Sequence, residues 1–248
     1  MRTSPPIPRL ITTEVNALPL DPNADLPSRV SARRGVKHAV VPFLLFLVAL
    51  LAFRSVVFDW NHVPTGSMAP TIAVGDHIAV DKRAYDIRLP FTQISLWRRA
   101  EPGRGDIVAF RSPVEDRLYV KRVIAVPGDQ VALRGDVLVI NGRAARFAAI
   151  DSGNGAENNR QQIEEDIGGH RHLIALSGAH TEPGFELLTV PPGAYLMMGD
   201  NRHESFDSRH FGFVERSRII GKATSVVFSL DYENAFLPRP GRILTALR

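Results

Sequence analysis

The chain has no cysteine, which excludes disulfides, thiolate metal sites and a cysteine nucleophile while leaving the compartment open. Its charge is nearly balanced. The net +4 is spread over dispersed arginines, so no nucleic acid partner is expected. Beyond Trp60 no long stretch repeats its apolar residues with helical spacing, which argues against helices alternating with strands. A cleavable secretory leader is not expected: about 38 residues precede the first apolar run, and Leu50 to Trp60 offers no convincing small-x-small cleavage site.

What the chain does have is enough apolar content, 44%, to bury a core. Six of its 18 prolines lie before Ser28, so residues 1–35 are expected to be a disordered Pro-rich tail. From Ala39 to Phe53 the chain is apolar apart from Pro42. That run rises only ~22 Å as a helix, and extending it past Arg54 to Phe58 gives about 30 Å, the thickness of a bilayer core. Arg54 would snorkel to the far interface. The expectation is a single transmembrane helix over 36–58, with a buried core helix as the rival for so short a run. Arg29, Arg33, Arg34 and Lys37 favour the anchor, because basic residues stay on the cytoplasmic side.

After the anchor, short apolar runs alternate with turn signals. Strands are expected at Ile78–Val80, Asp106–Phe110, Tyr119–Val126, Val131–Leu133, Val137–Ile140, Glu186–Val190, Tyr195–Met198 and Ala223–Leu230. Asn141-Gly142 predicts a tight hairpin. The expected fold class is all-β, a mainly antiparallel domain over 59–233. Residues 151–182 are polar and read as an inserted loop or subdomain, and 234–248 as a C-terminal tail.

Three features carry chemistry. Ser67 lies in Pro64-Thr65-Gly66-Ser67-Met68-Ala69-Pro70, where two prolines restrict the backbone and Gly66 admits a close neighbour. An ordinary Pro/Gly/Ser turn reads the same way. Lys121 shares a strand face with Tyr119, Val123 and Ala125. Desolvation there would lower its pKa and make it a base, whereas an edge-strand lysine would simply reach water. The third feature is the polar loop from Gly199 to Gly212. Its Asp200 or Asp207 with Arg209 suits a structural ion pair. His203 and His210 stand seven positions apart with no third ligand, which argues against a metal. A neutral lysine can deprotonate a serine, and the Ser67 N–H with the Thr65 hydroxyl can hold the resulting oxyanion.

Taken in order, four motifs resemble the bacterial type I signal peptidases, membrane-anchored Ser/Lys endopeptidases that remove signal peptides from exported proteins. They are the serine motif through Gly75-Asp76, Pro102-Gly103-Arg104-Gly105-Asp106-Ile107-Val108, Tyr119-Val120-Lys121-Arg122-Val123, and Gly199-Asp200-Asn201 through Ser205, Asp207, Ser208 and Arg209. The resemblance implies Ser67 as nucleophile, Lys121 as general base and Thr65 with Ser67 at the oxyanion hole. It implies Ser205 as the group orienting the lysine, and Asp207 and Arg209 as braces. Val63, Met68, Ile72, Ile78, Tyr119 and Val120 fall where the family builds shallow pockets for small side chains at −1 and −3. It also implies an inner-membrane, single-pass topology with the catalytic domain outside, signal peptides and the bilayer as partners, and neither cofactor nor metal. Rival readings are a conjugation-type maturation peptidase, a LexA-like self-cleaving switch and a non-catalytic, membrane-tethered peptide-binding domain.

Overall fold

The computed structural model describes residues 40–52, 58–92, 94–150, 160–177, 184–232 and 234–247. Two compact units are present, Met1–Leu47 and Val48–Arg248. The first contributes the beginning of a helix, α1, that runs over residues 40–52. Its large side chains from Val40 to Leu51 are exposed. No helix among the described residues is long and apolar enough to cross a membrane. Of the expected span 36–58, residues 36–39 and 53–57 lie outside the described residues, and so does the whole of the expected tail 1–35. Phe58 opens the first strand instead.

The second unit is built of strands. They are β1 (Phe58–His62), β2 (Asp76–Asp81), β3 (Asp86–Arg88), β4 (Ser95–Arg98), β5 (Ile107–Arg111), β6 (Leu118–Ala125), β7 (Gln130–Arg134), β8 (Val137–Ile140) and β9 (Arg143–Ala144). There follow β10 (Arg146–Ala149), β11 (Arg160–Asp166), β12 (Arg171–Ser177), β13 (Phe185–Thr189), β14 (Ala194–Met198), β15 (Val214–Glu215), β16 (Ile219–Asp231), β17 (Leu237–Pro238) and β18 (Thr245–Ala246), with a short helix α2 (Ser208–Phe211) after β14. The main sheet runs β1-β2-β16-β5-β6-β14-β15, and its pairings are antiparallel. The fold is all-β apart from these short helical pieces.

Alternation along β5 explains the layering. Ile107 and Ala109 enter one core cluster with Val63, Met68, Ile72 and Val80, while Val108 and Phe110 enter another with Tyr85, Val123, Tyr195 and Ile219. Both faces of this strand are therefore covered. Each buried side chain of this size stabilises the fold by ~1.5–3 kcal/mol. The Asn141-Gly142 hairpin forms between β8 and β9, with φ of 52° and 75° at its two residues, the left-handed conformation that asparagine and glycine tolerate.

Two regions differ from the expectation. Within 151–182 the structure places β11 and β12, which pair with each other and with β10 in a separate three-stranded sheet. A polar sequence hid β11, Arg-Gln-Gln-Ile-Glu-Glu-Asp, whose Glu165 is buried in an ion pair that periodicity cannot foresee, whereas β12 has a short apolar centre, Leu-Ile-Ala-Leu, inside the polar segment. Residues 151–159 and 178–182 of that segment lie outside the described residues. At the C-terminus, β17 and β18 return to pair with β16, so most of 234–248 is joined to the sheet.

Arg242 in this returning segment reaches back to the loop between β1 and β2. It donates from Nε to Asp76 Oδ1 at 3.0 Å, from Nη2 to Asp76 Oδ2 at 2.5 Å, and from Nη2 to the Thr71 carbonyl at 3.0 Å. Asp76, fully buried, also accepts the Ala73 N–H at 2.8 Å. Arg242→Ala strips a buried carboxylate of its cation and is expected to cost about 2–3 kcal/mol. Thermal unfolding of purified protein measures it; an unchanged midpoint would show that the clamp contributes nothing.

Candidate active site

Ser67 sits on the excursion between β1 and β2. The ends of that excursion are tied where Val63 N–H donates to the Asp76 carbonyl at 2.9 Å and Gly75 N–H to the Val63 carbonyl at 3.1 Å. Met68 and Ile72, 1% and 0% exposed, anchor its apolar side in the core. The chain between them turns tightly, with Ala69 N–H donating to the Gly66 carbonyl and Ile72 N–H to the Met68 carbonyl. Ser67 is thus presented on a loop fastened at both ends and underneath.

Lys121 comes from the middle of β6, paired through β5 to Val108. Its Nζ donates to Ser67 Oγ at 2.6 Å. The side chain is almost fully buried, and Tyr119, on the same strand face, has its ring centroid 5.7 Å from Nζ. Desolvation is the main cause of a pKa lowered from 10.5 to about 8, a drop opposed by the charges of Asp207 and Asp200 and assisted by Arg209.

Both nearby carboxylates are committed to arginines. Asp200, buried, receives Arg122 Nε at 2.8 Å and Nη2 at 2.7 Å, plus the Thr71 hydroxyl at 2.5 Å. Asp207 caps α2 through the Arg209 N–H, takes Arg209 Nε and Nη2 at 2.8 Å each, and accepts the Gly199 N–H at 3.0 Å. Burial pushes both carboxyls up, yet the arginine partners outweigh it and hold them below the usual carboxylate range.

Thr65 Oγ1 lies 3.5 Å from Ser67 Oγ. Among the described residues the Ser67 N–H has no acceptor. Ser205 is buried, with its hydroxyl toward Asp207, whose carboxyl it helps to hold down, and against Gly199, where an added Cβ would collide with it and with the Ser67 carbonyl. The serine and the lysine are brought into direct contact. Ser205 and the Asp207–Arg209 pair surround them without touching Lys121 through a hydrogen bond.

A cleft of about 380 Å³ opens over the pair, lined among others by Val63, Met68, Tyr119 and Val120. Ile72 and Ile78 do not line it: both are 0% exposed, in the core cluster behind Val63 and Met68. His203 and His210 are apart in role. His203 Nε2 lies 2.7 Å from Asp136 Oδ1, and the exposed His210 stacks on Phe206 at 5.1 Å between ring centroids.

One residue at the site escaped the assignment made from sequence, although it stands in a quoted motif. Asn201, 0% exposed, donates its N–H to the Ser67 carbonyl and its Nδ2 to the Gly66 carbonyl, both at 3.1 Å. An asparagine after an aspartate in a polar loop reads as turn chemistry. The signal available was its place directly after the Met-Gly-Asp that ends a strand.

A family model described as signal peptidase, peptidase S26, matches residues 36–228. A signal peptidase I of Pseudomonas aeruginosa is 36% identical over 216 residues, covering 81% of this chain and 76% of its own length. Another from Pseudomonas fluorescens is 35% identical, covering 75% and 70%, and one from Bacillus caldolyticus is 32% identical, covering 73% and 85%. The chain belongs to the signal peptidase family.

Burying Lys121 has a stability consequence with a definite sign. Its folded pKa, about 8, lies below the unfolded 10.5, so the unfolded chain binds more protons between those values and stability rises with pH across that window. Below pH 8 the full cost applies, about 3 kcal/mol for a drop of that size. Lys121→Met, which keeps the volume and loses the charge, is expected to be more stable at pH 7 by ~2 kcal/mol after allowing for the lost hydrogen bond. Urea unfolding at pH 7 would reveal it, and a destabilised Lys121→Met would contradict the desolvation account.

Proposed function

We propose that, as a member of this family, the protein cuts signal peptides from exported preproteins with Ser67 as nucleophile and Lys121 as general base. The observation that carries this reading is the 2.6 Å contact between Lys121 Nζ and Ser67 Oγ in a site where the amine is buried. Once the amine is neutral, the hydrogen bond runs the other way: the Ser67 hydroxyl donates to the Nζ lone pair, and attack on the scissile carbonyl transfers that proton to Lys121. The Ser67 N–H and Thr65 hydroxyl stabilise the oxyanion. Lys121 returns the proton to the leaving amine, then deprotonates the water that hydrolyses the acyl-enzyme. Ser205, buried between Gly199 and Asp207, orients the amine, and Arg209 fixes Asp207 beneath.

Substrate enters as an extended strand. β1 ends the main sheet, and β6 pairs with β14 only from Arg122 onward, so the Leu118–Lys121 edge is open among the described residues. A peptide laid between these edges would gain main-chain hydrogen bonds and place alternate side chains against Val63, Met68, Tyr119 and Val120. Ile72 and Ile78 close the floor from behind. That keeps the pockets shallow, suited to alanine at −1 and −3.

The segment from residue 36 up to the start of β1 at Phe58 serves as the membrane anchor, with the basic cluster from Arg29 to Lys37 on the cytoplasmic side and the catalytic unit outside. The exposed apolar side chains of α1, such as Phe43, Leu45 and Phe46 at 65–66%, support a lipid setting for this segment.

Purified enzyme offered a preprotein with an Ala-x-Ala site is expected to cut after the second alanine, while Ser67→Ala and Lys121→Met lose activity by about 10³-fold or more. Persistent cleavage by Lys121→Met would remove the lysine from the mechanism. The rate should climb with pH through an apparent pKa of about 8, because only the neutral amine accepts a proton. A profile flat from pH 6 to 10 would be incompatible with that base.

A further inference from the structure

The three-stranded sheet β10-β11-β12 holds the most heavily buried charge cluster away from Lys121, and the mechanism above makes no use of it. Glu165 on β11 is 0% exposed and faces Arg202, 2% exposed, in the loop after β14. Arg202 Nη1 donates to Glu165 Oε1 at 2.9 Å, and Arg202 Nη2 contacts Glu165 Oε2, so the pairing is bidentate. His172 on β12 brings its Nε2 to 3.1 Å from the same oxygen. Burial pushes the Glu165 carboxyl up, but the Arg202 charge more than reverses this and takes it down to about 2.

A main-chain joint lies beside this ion pair. Ala175 on β12 makes a parallel bridge with Asn201, its N–H donating to the Asp200 carbonyl at 2.9 Å. His203 is held next to it, its Nδ1 3.0 Å from the Ser177 N. Residues 200–203 are therefore gripped from the small sheet at three consecutive points. On their other side the grip passes to the nucleophile: Asn201 binds the Gly66 and Ser67 carbonyls, and the Arg202 carbonyl accepts Arg209 Nη2 at 2.5 Å.

We propose that Glu165 is a positioning residue for catalysis: through its buried pair with Arg202 it sets the main chain at Asn201, which in turn sets the Ser67 loop against Lys121. The small sheet is then part of the catalytic apparatus, although it contributes no group to the cleft. A shift of the serine by about 1 Å is enough to cost on the order of 100-fold in rate. The inference rests on Ser67 being the nucleophile, so Ser67→Ala accompanies every measurement.

Two variants test it in the full-length enzyme with the Ala-x-Ala preprotein. Glu165→Ala leaves Arg202 buried without its anion and is expected to lower kcat by about 100-fold. The double variant Glu165→Met with Arg202→Met replaces the pair by apolar groups of similar volume, a change that ordinarily preserves folding. It is expected to keep the wild-type melting temperature within a few degrees, lower kcat by about 10-fold and leave KM within about twofold. The apparent pKa of the pH–rate profile should stay where it is, since the lysine's own surroundings are intact. Hydrogen exchange supplies a reading independent of turnover: the Asn201 amide, protected by the Ser67 carbonyl, should exchange faster in both variants while β5 and β6 amides keep their protection. Wild-type kcat in a folded double variant, a kcat that falls only in proportion to the unfolded fraction, or unchanged Asn201 exchange would each overturn the proposal. If Ser67→Ala retained activity, the nucleophile assignment itself would fail, which is a separate outcome.

Discussion

Lys121 is kept out of water without gaining an anion of its own, whereas an amine paired with a carboxylate would hold its proton more tightly. Its neighbourhood is nevertheless rich in carboxylates. Asp200 and Asp207 both raise its proton affinity, and desolvation prevails because each is already engaged by a guanidinium, Asp200 by Arg122 and Asp207 by Arg209. Bidentate pairing with arginine suits this task better than a lysine partner, since the planar fork satisfies both carboxylate oxygens at once. Arg209 also acts on the amine directly, lowering its proton affinity against the pull of the two carboxylates.

The Ser67 loop is held from three directions. Apolar packing of Met68 and Ile72 fixes its underside, Arg242 with Asp76 fixes its trailing half, and Asn201 holds the carbonyls of Gly66 and Ser67. Gly199 lies against the Ser67 carbonyl as well. The Ser67 carbonyl and the Ser205 hydroxyl approach it so closely that a side chain has no room, so the close approach of two loops depends on the missing Cβ. A loop this constrained keeps the Ser67 hydroxyl against Lys121, at the expense of stability surrendered to bury that amine.

Legibility in the sequence followed the physics of each element. Strands with two apolar faces, such as β5, β6, β8 and β14, announced themselves as short apolar runs bounded by turns, and all eight expected runs became strands. Among the strands left unread, β1 directly follows the apolar run, so its Phe58 was absorbed into the anchor, and β11 carries a buried Glu165 whose partner, Arg202, lies 37 positions further along the chain. Arg242 with Asp76, 166 positions apart, belongs to the same class: neither residue carries any local sign of the other. Four of the six expected pocket residues line the cleft, and the two exceptions, Ile72 and Ile78, differ only in depth, which an apolar pattern cannot report.

By itself the sequence determined the alternation of the main strands, the Asn141-Gly142 turn, and the presence of a serine and a lysine in settings where each had both a chemical and an ordinary reading. Those properties are local, set by side-chain period and backbone preference over a few residues. Only the tertiary structure decided which reading each acquired a geometry for. It placed Lys121 within 2.6 Å of Ser67 across 54 positions, removed water from the amine, and routed the Glu165–Arg202 pair to Asn201. Desolvation and long-range contact are properties of the packed chain, and no stretch of residues expresses them alone.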